Sequence, residues 1–244
     1  MMKPSEAVIQ ILILVLIILL IVLFMANFGY ADPVGVDVDS NSTDTGPSRP
    51  PANHSAEGGT ITTLLLNVSQ QSTYWKGYVG NISGQLALQD SSNYTLYDWT
   101  LSSITGEVFA SRSSAINWSD IGCTNVSMME SEDSALGIPA TEVETINKTF
   151  NGTTHKTFTV AGVTITNSTC PSIFTNVNST SQSSSESALF QEILLDDEDD
   201  LVFVTIMEQD ETGYNNQTYD FQFIIPDTYS SATQTTYYFW AEIS

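Results

Sequence analysis

The chain has 244 residues, enough for one or two domains. Its 28 acidic residues against 6 Lys and Arg give a net charge of −22, which excludes nucleic acid as a partner because phosphate binding needs a basic surface. Two histidines (His54, His155) and two cysteines (Cys123, Cys170) leave little material for a Cys/His zinc site or a histidine-based catalytic triad.

Ile11 to Ala26 is an uninterrupted apolar run, and extending it back to Ala7 makes 20 residues. A helix of that length rises about 30 Å, the thickness of a bilayer core. Residues 1–30 are therefore expected to be a signal-anchor that meets the membrane through residues 7–26. Lys3 is the only basic residue before the run, which puts the N-terminus in the cytoplasm and the rest outside. Two other readings stay open. Gly29 and Ala31 suit cleavage after Ala31, which would make the protein secreted. Lys3-Pro4-Ser5-Glu6 is like a pilin leader. Length and apolarity favour the anchor.

Residues 31–59 hold four prolines, many Ser, Thr and Asp, and no apolar periodicity. They cannot bury enough surface to offset their conformational entropy and are expected to be a disordered stalk.

Residues 60–244 are expected to form the extracytoplasmic domain. Short β-branched and aromatic runs alternate with turn signals. The expected strands are Thr60–Val68, Tyr74–Ile82, Gln85–Gln89, Tyr94–Leu101 and Glu107–Ser111. Thr141–Phe150 is the one helix expected, with Thr141 and Glu144 at capping-box spacing and Val143, Ile146 and Phe150 as its stripe. Lys156–Val160 and Val163–Thr166 flank Ala161-Gly162 as a hairpin. Ala188–Leu195, Leu201–Glu208, Gln217–Ile225 and Thr235–Ile243 complete the set. Leu201–Glu208 is apolar on both faces, like a central strand. The pattern argues an all-β fold: a β-sandwich of immunoglobulin-like type with a helix and loop insertion at about 122–170.

Twelve of fifteen asparagines sit in Asn-X-Ser/Thr: Asn41, Asn53, Asn67, Asn81, Asn93, Asn117, Asn125, Asn147, Asn151, Asn167, Asn178 and Asn216. Roughly a quarter of the chain is Ser or Thr, so chance would supply roughly four. The excess points to N-glycosylation. Outside the cytoplasm Cys123 and Cys170 are expected to pair, closing a loop of about 48 residues.

Asp196, Asp197, Glu198, Asp199 and Asp200 form an acidic turn between two strands. Four of them, Asp196, Asp197, Asp199 and Asp200, are the candidate ligands for Ca²⁺, the one cofactor the chain offers. A solvated turn is the favoured reading, because no EF-hand spacing is present. Trp75, Tyr78, Tyr97, Trp99 and Trp118 form either a sugar-stacking platform or core, and core is favoured. His155 with Glu142 or Glu144 lacks a nucleophile-elbow motif, so no catalytic residue is assigned.

The string Tyr74-Trp75-Lys76-Gly77-Tyr78-Val79-Gly80-Asn81, then Gly84, Leu86, Asp90, Tyr97, Trp99 and Gly106-Glu107-Val108, resembles a pattern in archaeal cell-surface proteins. So do Trp118 to Cys123, the spacing of Phe150, His155 and Phe158, and the tail from Phe190-Gln191-Glu192 to Tyr219-Asp220-Phe221. The resemblance covers residues 70–243. It implies an exported β-rich protein with an N-terminal hydrophobic segment, and no known activity. The expected function is a membrane-anchored, N-glycosylated envelope protein with a structural or adhesive role, contacting envelope proteins or glycans. The alternatives are a filament subunit, pilin-like or strand-exchanging and so self-assembling, and an extracellular carbohydrate-binding module or hydrolase.

Overall fold

Residues 193–195 and 201–206 are near-continuous runs of Ile, Leu, Val and Phe on either side of an acidic turn, and an extended chain sends successive side chains to opposite faces. Both faces of the two strands 191–196 and 201–206 are buried, so they pair at the centre of the fold. The computed structural model describes residues 32–46, 51–65, 72, 74–89, 94–100, 103–230 and 234–243.

The strands are β1 Val34–Gly35, β2 Trp75–Gly80, β3 Gln85–Gln89, β4 Thr95–Thr100, β5 Gly106–Ser111, β6 Gly122–Cys123, β7 Phe158–Val160 and β8 Val163–Ile165. Then come β9 Ser172–Phe174, β10 Gln191–Asp196, β11 Leu201–Ile206, β12 Glu211–Thr212, β13 Thr218–Tyr219, β14 Phe221–Pro226 and β15 Tyr238–Ile243. Two α-helices, α1 Val126–Ala135 and α2 Ile146–Thr149, lie in the insertion. The fold is all-β and the strand pairings are antiparallel.

The main sheet has the order β1-β15-β5-β11-β10-β6, with β9 also on β10. One face carries Val108, Ala110, Leu194, Leu201 and Phe203. It packs against Phe223 and Ile225 of β14, Met129 of α1, and Ile146 and Phe150 of the α2 region. The other face carries Phe109, Ile193, Leu195, Val202, Val204 and Ile206, under Trp118, Phe158, Val160, Ile165 and Cys170. Each fully buried Phe or Leu contributes about 1.5–3 kcal/mol relative to exposure. The β2–β14 ribbon therefore covers one face and the β7–β8 hairpin the other.

Polar rungs stitch the ribbon down. Thr205 Oγ1 donates to the Gln222 carbonyl at 3.0 Å, and Glu192 Oε2 accepts from the Ile224 amide at 2.9 Å. At the start of β5, Gly106 has φ 137° and no room for a side chain. A Cβ there would stand 1.9 Å from the Glu242 carbonyl oxygen.

Local turn chemistry holds in the hairpin: Ala161 and Gly162 both have positive φ between β7 and β8. The predicted helix is displaced. Residues 141–144 form turns, Thr145 rather than Thr141 is the cap, and Val143 is exposed. The longer helix, α1, went unseen because two of its buried positions are acidic. Glu132 takes a bidentate ion pair from Arg112 at 2.5 and 2.6 Å, and Asp133 accepts the Ile146 amide at 3.1 Å. Its ends carry local signals nonetheless. Asn125 caps the start, and Gly137 at φ 72° follows the stop, with the Ile138 amide bonded to the Asp133 carbonyl.

The predicted first strand is also corrected. Residues 60–65 are exposed and lie in no strand, while residues 66–68 fall outside the described set. The edge of the sheet is taken instead by Val34–Gly35, from within the predicted stalk. Among the described residues no helix is long and apolar enough to cross a membrane. The apolar run at 7–26, the cleavage site at Ala31, Asn67, Asn93 and the predicted turn at 90–93 lie outside the described residues.

Candidate functional site

The acidic turn connects β10 to β11, and its carboxylates face inward where they are needed by the backbone. Asp197 is buried. Its Oδ1 accepts the Asp199 and Asp200 amides at 3.2 and 2.8 Å, and its Oδ2 accepts the Asn117 amide at 2.8 Å. Asp196 is buried too, with Oδ1 accepting the Glu198 amide at 3.1 Å and Oδ2 without a partner. Glu198 and Asp199 are exposed, and Asp200 is half-buried. Among the described residues no group of three or more His, Cys, Asp or Glu is placed to hold a metal ion. Asp197→Ala is expected to lower stability by about 1–3 kcal/mol, because it orphans turn amides. Urea denaturation with chelator and with millimolar calcium checks this. Equal losses assign Asp197 to the turn, and a calcium-dependent gain that the variant removes assigns it to a cation.

His155 is fully buried beside the bridge between Cys123 and Cys170. Its Nε2 accepts the Thr169 and Cys170 amides at 3.1 and 3.0 Å, so Nδ1 carries the proton and donates to the Lys156 carbonyl at 2.9 Å. Every ring nitrogen is engaged by backbone, which leaves none to act as a base on a substrate. Neither Glu142 nor Glu144 bonds to it: Glu142 accepts from Tyr229 at 2.8 Å, and the Glu144 carbonyl accepts from Trp75 Nε1 at 3.0 Å.

The aromatic candidates that can be placed serve the core. Trp75 packs on Phe150, Tyr78 on Phe223 and Phe239, and Trp118 on Phe109 and Trp240. Tyr97 and Trp99 lie on β4, whose side chains are outside the described set. Of the ten described sequon asparagines, all but the half-buried Asn147 are exposed.

An open groove lies along the β1–β15 edge. Val34 pairs with Ala241 and Gly35 with Trp240, and the Val36 amide donates to the Phe239 carbonyl at 3.3 Å. A shallow groove of about 360 Å³ runs between Gly35, Val36 and Val38 on one side and residues 237–240 on the other. Beyond it, residues 39–46 and 51–65 are exposed throughout and lie in no helix or strand.

No family model, curated protein or solved structure matches this chain.

Three features escaped the sequence reading. Val34-Gly35-Val36-Asp37-Val38-Asp39 alternates with a period of two, and that was the available signal for β1. Gln222 looks like a solvent-face residue of β14 but is buried. Its Nε2 donates to Thr175 Oγ1 and the Asn176 carbonyl, and its Oε1 accepts the Tyr214 amide. The third is a pair of buried carboxyls. Glu107 sits opposite Glu242 with Oε2 unpartnered, and burial, reinforced by Glu242, pushes it up to about 8 against the pull of Lys156. Glu192 is fully buried, and burial raises it well above the usual carboxyl range.

Proposed function

We propose that this chain is a membrane-anchored, N-glycosylated cell-surface protein with a structural or adhesive role in the envelope. The observation that carries the reading is the sequon set: twelve where chance supplies roughly four, and nine of ten described ones exposed. The apolar run at 7–26 supports the anchor. The bridge between Cys123 and Cys170 supports an oxidising compartment. The head is read as an immunoglobulin-like sandwich, and the β2–β14 ribbon supports a second β layer over one face of the main sheet. Charge and glycans keep such a head hydrated.

Intact mass of the protein from its native membrane, with N-terminal peptide mapping, tests this. An uncleaved terminus with several glycan increments is expected. A terminus near Asp32 makes the protein secreted, and one near Glu6 makes it pilin-like. An unmodified full-length mass with two free thiols overturns the exported reading.

One observation favours a strand-exchanging subunit as the second reading: β1 is an edge strand, and residues 39–46 and 51–65 after it are exposed and outside any helix or strand. Val34 and Ala241 are register partners. Mixing a V34C chain with an A241C chain under oxidising conditions is therefore diagnostic. Disulfide-linked dimers in the mixture alone mean exchange between copies. Their absence, with an intramolecular link in the V34C/A241C double variant, means that β1 pairs within its own chain.

A further inference from the structure

We propose that the β1–β15 edge is the pole of the head that faces the bilayer and rests on its headgroups. The inference rests on the anchored reading above and adds the orientation of the head. Ala26 ends the apolar run and Val34 is docked on Ala241, eight residues later. Eight residues span at most about 29 Å when fully extended. If the head were first held at Trp75, the same limit would allow roughly 170 Å. Docking of β1 thus ties the chain to the head at Val34–Gly35 as well as at Trp75. The β1 corner stays close to the membrane, while the β9 edge lies four strands beyond β15, about 19 Å further across the sheet.

The surface at this corner suits that position. Val34 and Val38 are 65% and 66% exposed, and Tyr238 is 44% exposed beside half-buried Trp240. Tyr and Trp favour the membrane–water boundary, where one end of the ring is apolar and the other wet. No sequon asparagine lies on β1 or β15 themselves; Asn41, three residues past Val38, and Asn117, beside the Trp118 that packs on Trp240, flank the edge. Asp32, Asp37, Asp39 and Glu242 lie on or beside the two strands, so the fit is to zwitterionic rather than anionic headgroups.

The full-length protein is reconstituted in phosphatidylcholine vesicles, with bimane on Y238C in one sample and on Y214C in another. Tyr214 is an exposed control in the β12–β13 turn, and that turn bonds to residues 178–179 beyond the β9 edge. A headgroup-labelled quencher lipid is expected to quench the label at position 238 at least twofold more than the one at 214. A 20-residue Gly/Ser insertion between Ala31 and Asp32 is expected to abolish that difference while the protein still floats with the vesicles. Flotation with equal quenching at both sites overturns the orientation and leaves the anchor standing. Failure to float overturns the anchored reading and this inference with it.

Discussion

Removing the bridge between Cys123 and Cys170 is expected to lower the stability of the head by about 4 kcal/mol. The two residues are 47 positions apart. Cross-linking a loop of that length removes conformational freedom from the unfolded chain, worth ~4 kcal/mol in the chain-entropy model. Two folded elements also depend on it. Cys123 belongs to β6, which reaches the sheet through a two-residue pairing with Leu195 and Asp196. Cys170 is fully buried under the face carrying Phe109 and Val204, and its amide is one of the two that bond to His155 Nε2. Urea denaturation of C123S/C170S, and of the reduced wild type, measures the loss. In a domain of this size about 4 kcal/mol corresponds to a fall in Tm of roughly 8–16 °C. A reductant should have no further effect on the double variant. A loss under about 1 kcal/mol would mean that the loop is already closed by its packing in the unfolded reference.

Stability is expected to fall as pH rises from about 5 to about 8. Glu107 is the main cause. Its carboxyl is raised from 4.5 to about 8 by burial first and by facing Glu242 second, with Lys156 pulling the other way. Between those two values the native state holds a proton that the unfolded chain has released. Raising pH therefore favours the unfolded chain, at about 1.4 kcal/mol per pH unit for one proton. Asp133, raised by burial to about 6, adds the same sign at the acid end of the window. Glu192, raised well above its ordinary range by burial, adds it throughout. Lys156 bonds Glu208 at 3.4 Å, so its charge is shared between two carboxyls and does not cancel the burial of Glu107. Urea curves at pH 5, 6.5 and 8 give the slope. Glu107→Gln keeps the shape, removes the titration, and is expected to reduce the slope by about one proton's worth. A flat wild-type profile, or an unchanged slope in the variant, rules out this assignment.

The legible parts of this protein are those in which residues close in sequence settle the outcome. β5, β10 and β11 were visible as short apolar runs rich in β-branched, aromatic and Leu side chains, and the turn at 196–200 was visible as the acidic break between two of them. The β7–β8 hairpin followed from Ala161-Gly162, which tolerates positive φ. The cysteine pair followed from there being only two. The candidate sites fared differently. The inward aim of Asp196 and Asp197 depends on amides at Asn117, Glu198, Asp199 and Asp200, and His155 depends on amides at Thr169 and Cys170. A carboxylate or an imidazole in a sequence does not announce which backbone groups will meet it.

By itself the sequence determined an acidic, sequon-rich, all-β chain with a hydrophobic N-terminal run and one cysteine pair. These follow from composition, from a two-residue period and from turn chemistry, which act over a few residues. The tertiary structure alone decided three things: that α1 buries Glu132 and Asp133, that Gln222 faces inward, and that Val34–Gly35 leaves the predicted stalk to join β15. The reason is common to all three. Burying a polar group or a bare strand edge is unfavourable until a partner meets it. Those partners, Arg112, Thr175 and the backbone of residues 239–241, lie 20, 47 and roughly 200 residues away.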